Sequence, residues 1–175
     1  MLPVPSLVEI LSHQPFRFVL EGSRVNGIVT RADLQRVPVR IMAFGLVTLL
    51  EMHLRELVLR ACPNKEWRDA LSRARLDKAQ ELQAKRLCQD TGIGLLECIQ
   101  LCDLREIVAK RKLSLGWTPQ VPSSHLRDQL RGIEKFRDTL AHAQEVDPMG
   151  IVEQFGSLMR MVETISQAIR PGGRQ

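Results

Sequence analysis

The chain has 175 residues, of which 44% are hydrophobic and 26% charged, and its formal net charge is +5. That length supports one or two small domains with a packed core; it excludes a large multidomain enzyme and wholesale disorder. Aromatic residues make up only 4%, with no Tyr, so packing rests on Leu, Ile, Val, Met and Ala, a composition that favours helices over a β-sandwich. The mild basicity permits an anionic partner without requiring one.

Four cysteines, Cys62, Cys88, Cys98 and Cys102, form no C-x-x-C pair. No His or acidic residue completes a ligand set at a familiar metal spacing, so they read as buried free thiols in a reducing compartment. The opening residues MLPVPSLVEI lack the basic and long apolar stretches of a signal peptide. The apolar run near 41–50 is interrupted by Glu51 and Arg55 and reads as too short for a bilayer. A soluble cytoplasmic chain without a membrane partner is expected.

In chain order, Leu7–Leu11 reads as the end of a short helix. Phe16–Leu20 and Val25–Thr30 read as two strands about the turn Glu21-Gly22-Ser23, a β-hairpin too small to stand alone, which must pack on something else. From Pro38 onward the pattern is helical. Residues 39–60 are apolar almost all round, as a central bundle helix would be. Cys62-Pro63-Asn64 ends that helix, and Asn64 is a candidate N-cap for a second over 65–89. A third spans 93–111, with Leu95, Ile99 and Cys102 on one stripe. Gly116, Pro119 and Pro122 make 112–122 a loop. Ser123 or Ser124 caps a fourth helix to about Ala143, and Asp147-Pro148 starts a fifth with the stripe Ile151, Phe155, Leu158, Val162, Ile165 and Ile169. The fold class is mainly α: a five-helix bundle over 38–175 preceded by a β-hairpin segment over 1–37.

The run FVLEGSRVNGIVTRADL, ending in Thr30-Arg31-Ala32-Asp33, resembles the second half of a CBS motif. The resemblance implies an adenine nucleotide as regulator, with Thr30 and Asp33 contacting phosphate and ribose. Too few residues precede Phe16 for a complete motif, so the chain is expected to be a fragment, or the half-motif vestigial, or the pocket completed by a second copy or another chain. The other reading of Thr30 and Asp33 is an N-cap pair that starts the next helix.

On the fourth helix, Arg137-Asp138-Thr139-Leu140-Ala141-His142 resembles the R-x(4–6)-H motif of HEPN domains. Those are small helical bundles, often dimeric, and many are metal-independent endoribonucleases. The resemblance implies a homodimer acting on RNA with no cofactor. His142 would be general acid or base and Arg137 would stabilise phosphoryl charge, chemistry that imidazole and guanidinium suit. Asp138 lies one turn before His142 and would orient its ring. At 3.6 residues per turn, Leu126, Leu130, Ile133, Arg137 and Leu140 share an apolar seam. Arg131, Lys135, Asp138 and His142 share a polar stripe, and Arg131 and Lys135 would flank an RNA backbone. The competing reading is structural: Arg137 pairs with Glu51 of the apolar helix and His142 caps a helix C-terminus, leaving a non-catalytic regulatory or dimerisation module. Lys110-Arg111-Lys112 reads as a solvated helix end, His53 as a satisfied core histidine, and Trp67 and Trp117 as packing anchors.

Overall fold

A computed structural model of the chain describes residues 4–87, 93–113, 123–142 and 147–170. Helix α1 (Val4–His13) leads into strands β1 (Phe16–Glu21) and β2 (Arg24–Thr30), followed by a first 3-10 turn, Arg31–Gln35. Five helices follow: α2 (Val37–Ala61), α3 (Arg73–Leu87), α4 (Leu101–Lys110), α5 (Ser123–Ala141) and α6 (Pro148–Ile169). Further 3-10 turns at Glu66–Ala70 and Leu95–Cys98 precede α3 and α4. The mainly helical class with an N-terminal hairpin is as expected, and most of the 112–122 loop lies outside the described residues.

Two expected helices are each divided. Leu71 is extended, and the Ser72 carbonyl accepts from the Arg75 and Leu76 amides, so α3 begins afresh at Arg73. Asn64 is not the cap; Lys65, with φ +66°, opens the 3-10 turn instead. Ile99 is likewise extended, and Gln100 caps α4. The Asp103 carboxylate accepts from the Gln100 amide at 3.0 Å and from Arg75 Nε at 2.6 Å, which closes α4's first turn and ties it to α3. At α6, Asp147 caps as expected, with Oδ2 accepting from the Gly150 amide at 2.9 Å and Pro148 in the first turn.

Helix α6 organises the core. It packs against α2, against α1 and against the first 3-10 turn. Its buried residues are Ile151, Val152, Phe155, Leu158, Met161, Val162 and Ile165. They meet Val47, Leu50, Leu54 and Val58 of α2, Val8 and Leu11 of α1, and Leu34, within one continuous apolar cluster. The segment before residue 38 therefore shares its core with the bundle. On α5 the buried row is Leu126, Leu130, Ile133, Phe136 and Leu140, so Phe136, rather than Arg137, occupies the seam.

The hairpin has the unusual orientation. Gly22, at φ +60°, supplies the left-handed turn, and Asn26 is an unpaired extra residue between the pairs Val19↔Gly27 and Leu20↔Val25. Directly opposed residues project to one face. The face carrying Phe16, Phe18, Leu20, Val25 and Ile28 is open to solvent, each of the five being 43–62% exposed. Only Val29, on the other face, packs against the core. The expected support for this outer face is not supplied by the described residues.

Candidate functional site

The polar stripe of α5 forms where the helical period puts it. Arg131, Lys135, Asp138 and His142 are all exposed, and the side chain of Arg137 lies at the edge of the stripe, 28% exposed. Arg137 turns toward α2. Its Nη1 donates to Glu51 Oε1 at 3.4 Å, while its Nη2 and Nε donate to Asp138 Oδ1 at 2.9 and 3.2 Å. The second oxygen of Glu51 takes Arg55 Nη2 at 3.3 Å, and Arg55 continues to the carbonyls of Leu96 and Ile99. Two guanidinium groups thus bracket one carboxylate and bind α5, α2 and the segment before α4 together. Partial burial works against the charged form of Arg137, but Asp138 and Glu51 outweigh it and hold the guanidinium above its usual value.

His142 stands just past α5. Its amide bonds to the Asp138 carbonyl at 3.0 Å, and among the described residues no hydrogen bond reaches its imidazole. The Asp138 carboxylate goes to Arg137, not to the ring it was expected to orient. The C-terminal cap of α5 comes from elsewhere: Arg40 Nη2 donates to the carbonyls of Thr139 and Leu140, both at 3.1 Å. That capping partner lies about a hundred residues away in sequence, and no local pattern announces it. The structure therefore joins Arg137, Glu51 and Asp138, and leaves Arg131, Lys135 and His142 as separate exposed groups.

Thr30 and Asp33 make the capping pair. Asp33 Oδ2 accepts from the Thr30 amide at 2.8 Å and its hydroxyl at 2.9 Å, and Oδ1 accepts from Arg36 Nε at 2.7 Å. The Thr30 bonds hold the Asp33 carboxyl below its ordinary value. Both oxygens are engaged within the turn, and Oδ1, with the single donor Arg36 among the described residues, keeps one acceptor site, so a ribose diol taking both oxygens would compete with Thr30.

Lys110 and Lys112 are exposed, as expected of a solvated helix end, but Lys110 also donates to the Ala70 carbonyl at 2.7 Å, and Arg111 bonds the Glu66 carbonyl and Asp69, fastening α4 to the turn before α3. Trp67 is buried, beneath the Arg68 guanidinium at 5.8 Å; Trp117 lies outside the described residues. His53 is half-buried and its Nδ1 is enclosed without a partner, so it is not the satisfied core histidine expected. Cys62 and Cys98 are buried free thiols, Cys102 is half-exposed, and Cys88 lies outside the described residues. Burial pushes the Cys62 and Cys102 thiols up. No group of three His, Cys, Asp or Glu side chains is placed to hold a metal among the described residues.

What the sequence reading missed is an apolar surface. Helix α2 buries one side, yet Val37, Ile41, Phe44, Met52 and Leu59 lie outside, 46–67% exposed. By length and composition α2 suffices to cross a membrane, with a mean hydropathy of 1.5 over its best 18 residues; the expectation that this run is too short does not hold. Its inner side nevertheless packs on α4, α5 and α6 as the centre of the bundle. No family model, no curated protein and no solved structure matches the chain.

Proposed function

We propose that the chain is a non-catalytic regulatory module that works by binding protein through its apolar surfaces, with dimerisation as its basic state. The observation that carries this reading is the engagement of Arg137. A guanidinium that stabilises phosphoryl charge in a transition state must be free to face substrate. Here Glu51 and Asp138 hold it, and the same contacts connect three parts of the bundle. The imidazole that would exchange protons lacks a carboxylate to set its tautomer, because Asp138 is committed to Arg137.

The surface supports the same reading. Monomers rarely leave large contiguous apolar patches uncovered, and such patches mark interaction sites. This chain has one on the outer hairpin face and one along α2. The test is incubation of the purified chain with labelled single-stranded RNA in EDTA, alongside His142→Ala and Arg137→Met. The expected result is no cleavage above buffer by any of the three. Metal-independent cleavage that disappears in both variants, with their folds intact by circular dichroism, overturns the reading and restores the ribonuclease expected from the resemblance of α5.

A further inference from the structure

The exposed stripe on α2 has a period and a centre. Val37, Thr48 and Leu59 recur every 11 residues, as do Ile41 and Met52, and Phe44 and Arg55. An 11-residue repeat matches three helical turns closely, so the stripe runs nearly straight along the helix. It is also symmetric about Thr48. Counting outward from that residue, Phe44 mirrors Met52, Ile41 mirrors Arg55, and Val37 mirrors Leu59. Gly45, where an added Cβ would meet nothing within 4 Å, mirrors Glu51.

The stripe carries little that resists dehydration. The Thr48 hydroxyl donates to the Phe44 carbonyl at 3.1 Å. Arg55, the one cation in the row, is held by Glu51 and by two carbonyls of its own protomer, and its side chain is only 20% exposed. A partner covering this face buries no unpaired charge and no unbonded hydroxyl from the row. Beside the first turns of α2 lies an open groove of about 300 Å³ lined by Val37, Arg40, Ile41, Phe44 and Leu140.

We propose that this stripe is the seat of a second copy of the chain, α2 against α2 and antiparallel, about a two-fold axis at Thr48. A two-fold contact presents the same patch from both sides, so the patch must complement itself. This one does: Val37 opposes Leu59 and Phe44 opposes Met52, Ile41 lies over Arg55, whose guanidinium is already bonded to Glu51 and two carbonyls, and Gly45 and Thr48 stand where the helix axes come nearest. The groove at Val37 and Ile41 receives Leu59 of the second copy. The five exposed side chains present roughly 500 Å² per copy, at about 150–200 Å² for a large apolar side chain when fully open. Two copies then bury about 1,000 Å², the threshold for a specific interface. The proposal names the partner of the interaction module inferred above, and rests on that reading only in taking the face as open to protein.

The experiment is cross-linking of the full chain with Cys88 and Cys102 changed to Ser. Thr48→Cys, Val37→Cys and Leu59→Cys are each treated with a bis-maleimide matched to helix axes about 8–10 Å apart. Thr48→Cys is expected to link to itself at twice the chain mass of 19.9 kDa. Val37→Cys alone is expected not to link, because in this register its mate lies about 33 Å away at 1.5 Å rise per residue. Mixed Val37→Cys and Leu59→Cys chains are expected to link to each other. In sedimentation, Ile41→Glu, a surface change that leaves the fold intact, weakens self-association at least about 30-fold. Self-linking of Val37→Cys, a monomeric unmodified chain, or an Ile41→Glu chain that still dimerises overturns the proposal. So does co-flotation of the unmodified chain with vesicles of phosphatidylcholine and phosphatidylserine in equal parts, which assigns the face to lipid. None of these results bears on RNA cleavage, so failure of the seam and failure of the non-catalytic reading are distinguishable.

Discussion

Replacing Arg137 by Met removes its charge and keeps most of its stem. The pair with Glu51 spans 3.4 Å, with side chains 28% and 19% exposed. At that distance the gross attraction is about 5 kcal/mol for an effective dielectric constant near 20. Desolvation and the ordering of two long side chains offset most of it: exposed pairs retain about 0.2–1 kcal/mol, and breaking a fully buried pair costs about 3–5 kcal/mol. This pair lies between those limits. Arg137→Met leaves Glu51 paired with Arg55 at 3.3 Å, so the expected loss is about 1 kcal/mol, or about 2–4 °C in Tm for a chain of this size. Glu51→Gln deprives two guanidinium groups at once and is expected to cost about twice as much. Urea denaturation of both single variants and the double variant measures the coupling, expected near 1 kcal/mol. If Arg137→Met leaves stability unchanged and Glu51→Gln costs the same in either background, the contact has no structural purpose and Arg137 is free for chemistry.

Asp33→Asn is expected to cost about 1 kcal/mol at neutral pH, the usual value of a helix-capping carboxylate. The Asp33 carboxyl is depressed in the fold, so its contribution is present above the unfolded value near 3.8 and is lost as pH falls through the lower folded value. The stability gap between parent and variant therefore narrows below pH 3.8 in urea titrations; a gap that widens there refutes the capping role. Asp103 is 5% exposed and accepts from both Gln100 and Arg75. Asp103→Ala is expected to cost about 2–3 kcal/mol, since the Arg75 left behind is 34% exposed and reaches water, and Arg75→Met at least as much, since it leaves the buried Asp103 carboxylate without its counter-charge. A much smaller loss in Arg75→Met than in Asp103→Ala would contradict this ordering.

Periodicity carried most of the fold. The α6 stripe from Ile151 to Ile165 and the cap at Asp147 are local signals, and both are present in the structure. The divisions at Leu71-Ser72 and Ile99-Gln100 were not legible by period, because apolar residues continue through each break. The Gln100 and Asp103 spacing is a local cap signal that an apolar stripe through Ile99 conceals. Tertiary partners are the other gap. Arg40 caps a helix about a hundred residues away, and no local pattern encodes it. Phe136 displaced Arg137 from the seam because neighbouring positions on a helix differ by only 100°, and packing against the other helices decided between them. The Glu51–Arg137 pair was legible, since a charge beside an apolar seam needs a counter-charge on the facing helix. That α2 is apolar all round was also legible. Which of its sides the bundle covers and which it leaves open is a property of the packing.

The state of the Arg137 side chain is the most direct test. Nitrogen-15 NMR of its guanidinium reports whether the group is held or free. Slow rotation and a resonance that shifts in Glu51→Gln, but stays in place on addition of single-stranded RNA, is the expected result. A freely rotating group whose resonance moves with RNA would contradict the structural role and return Arg137 to a catalytic one.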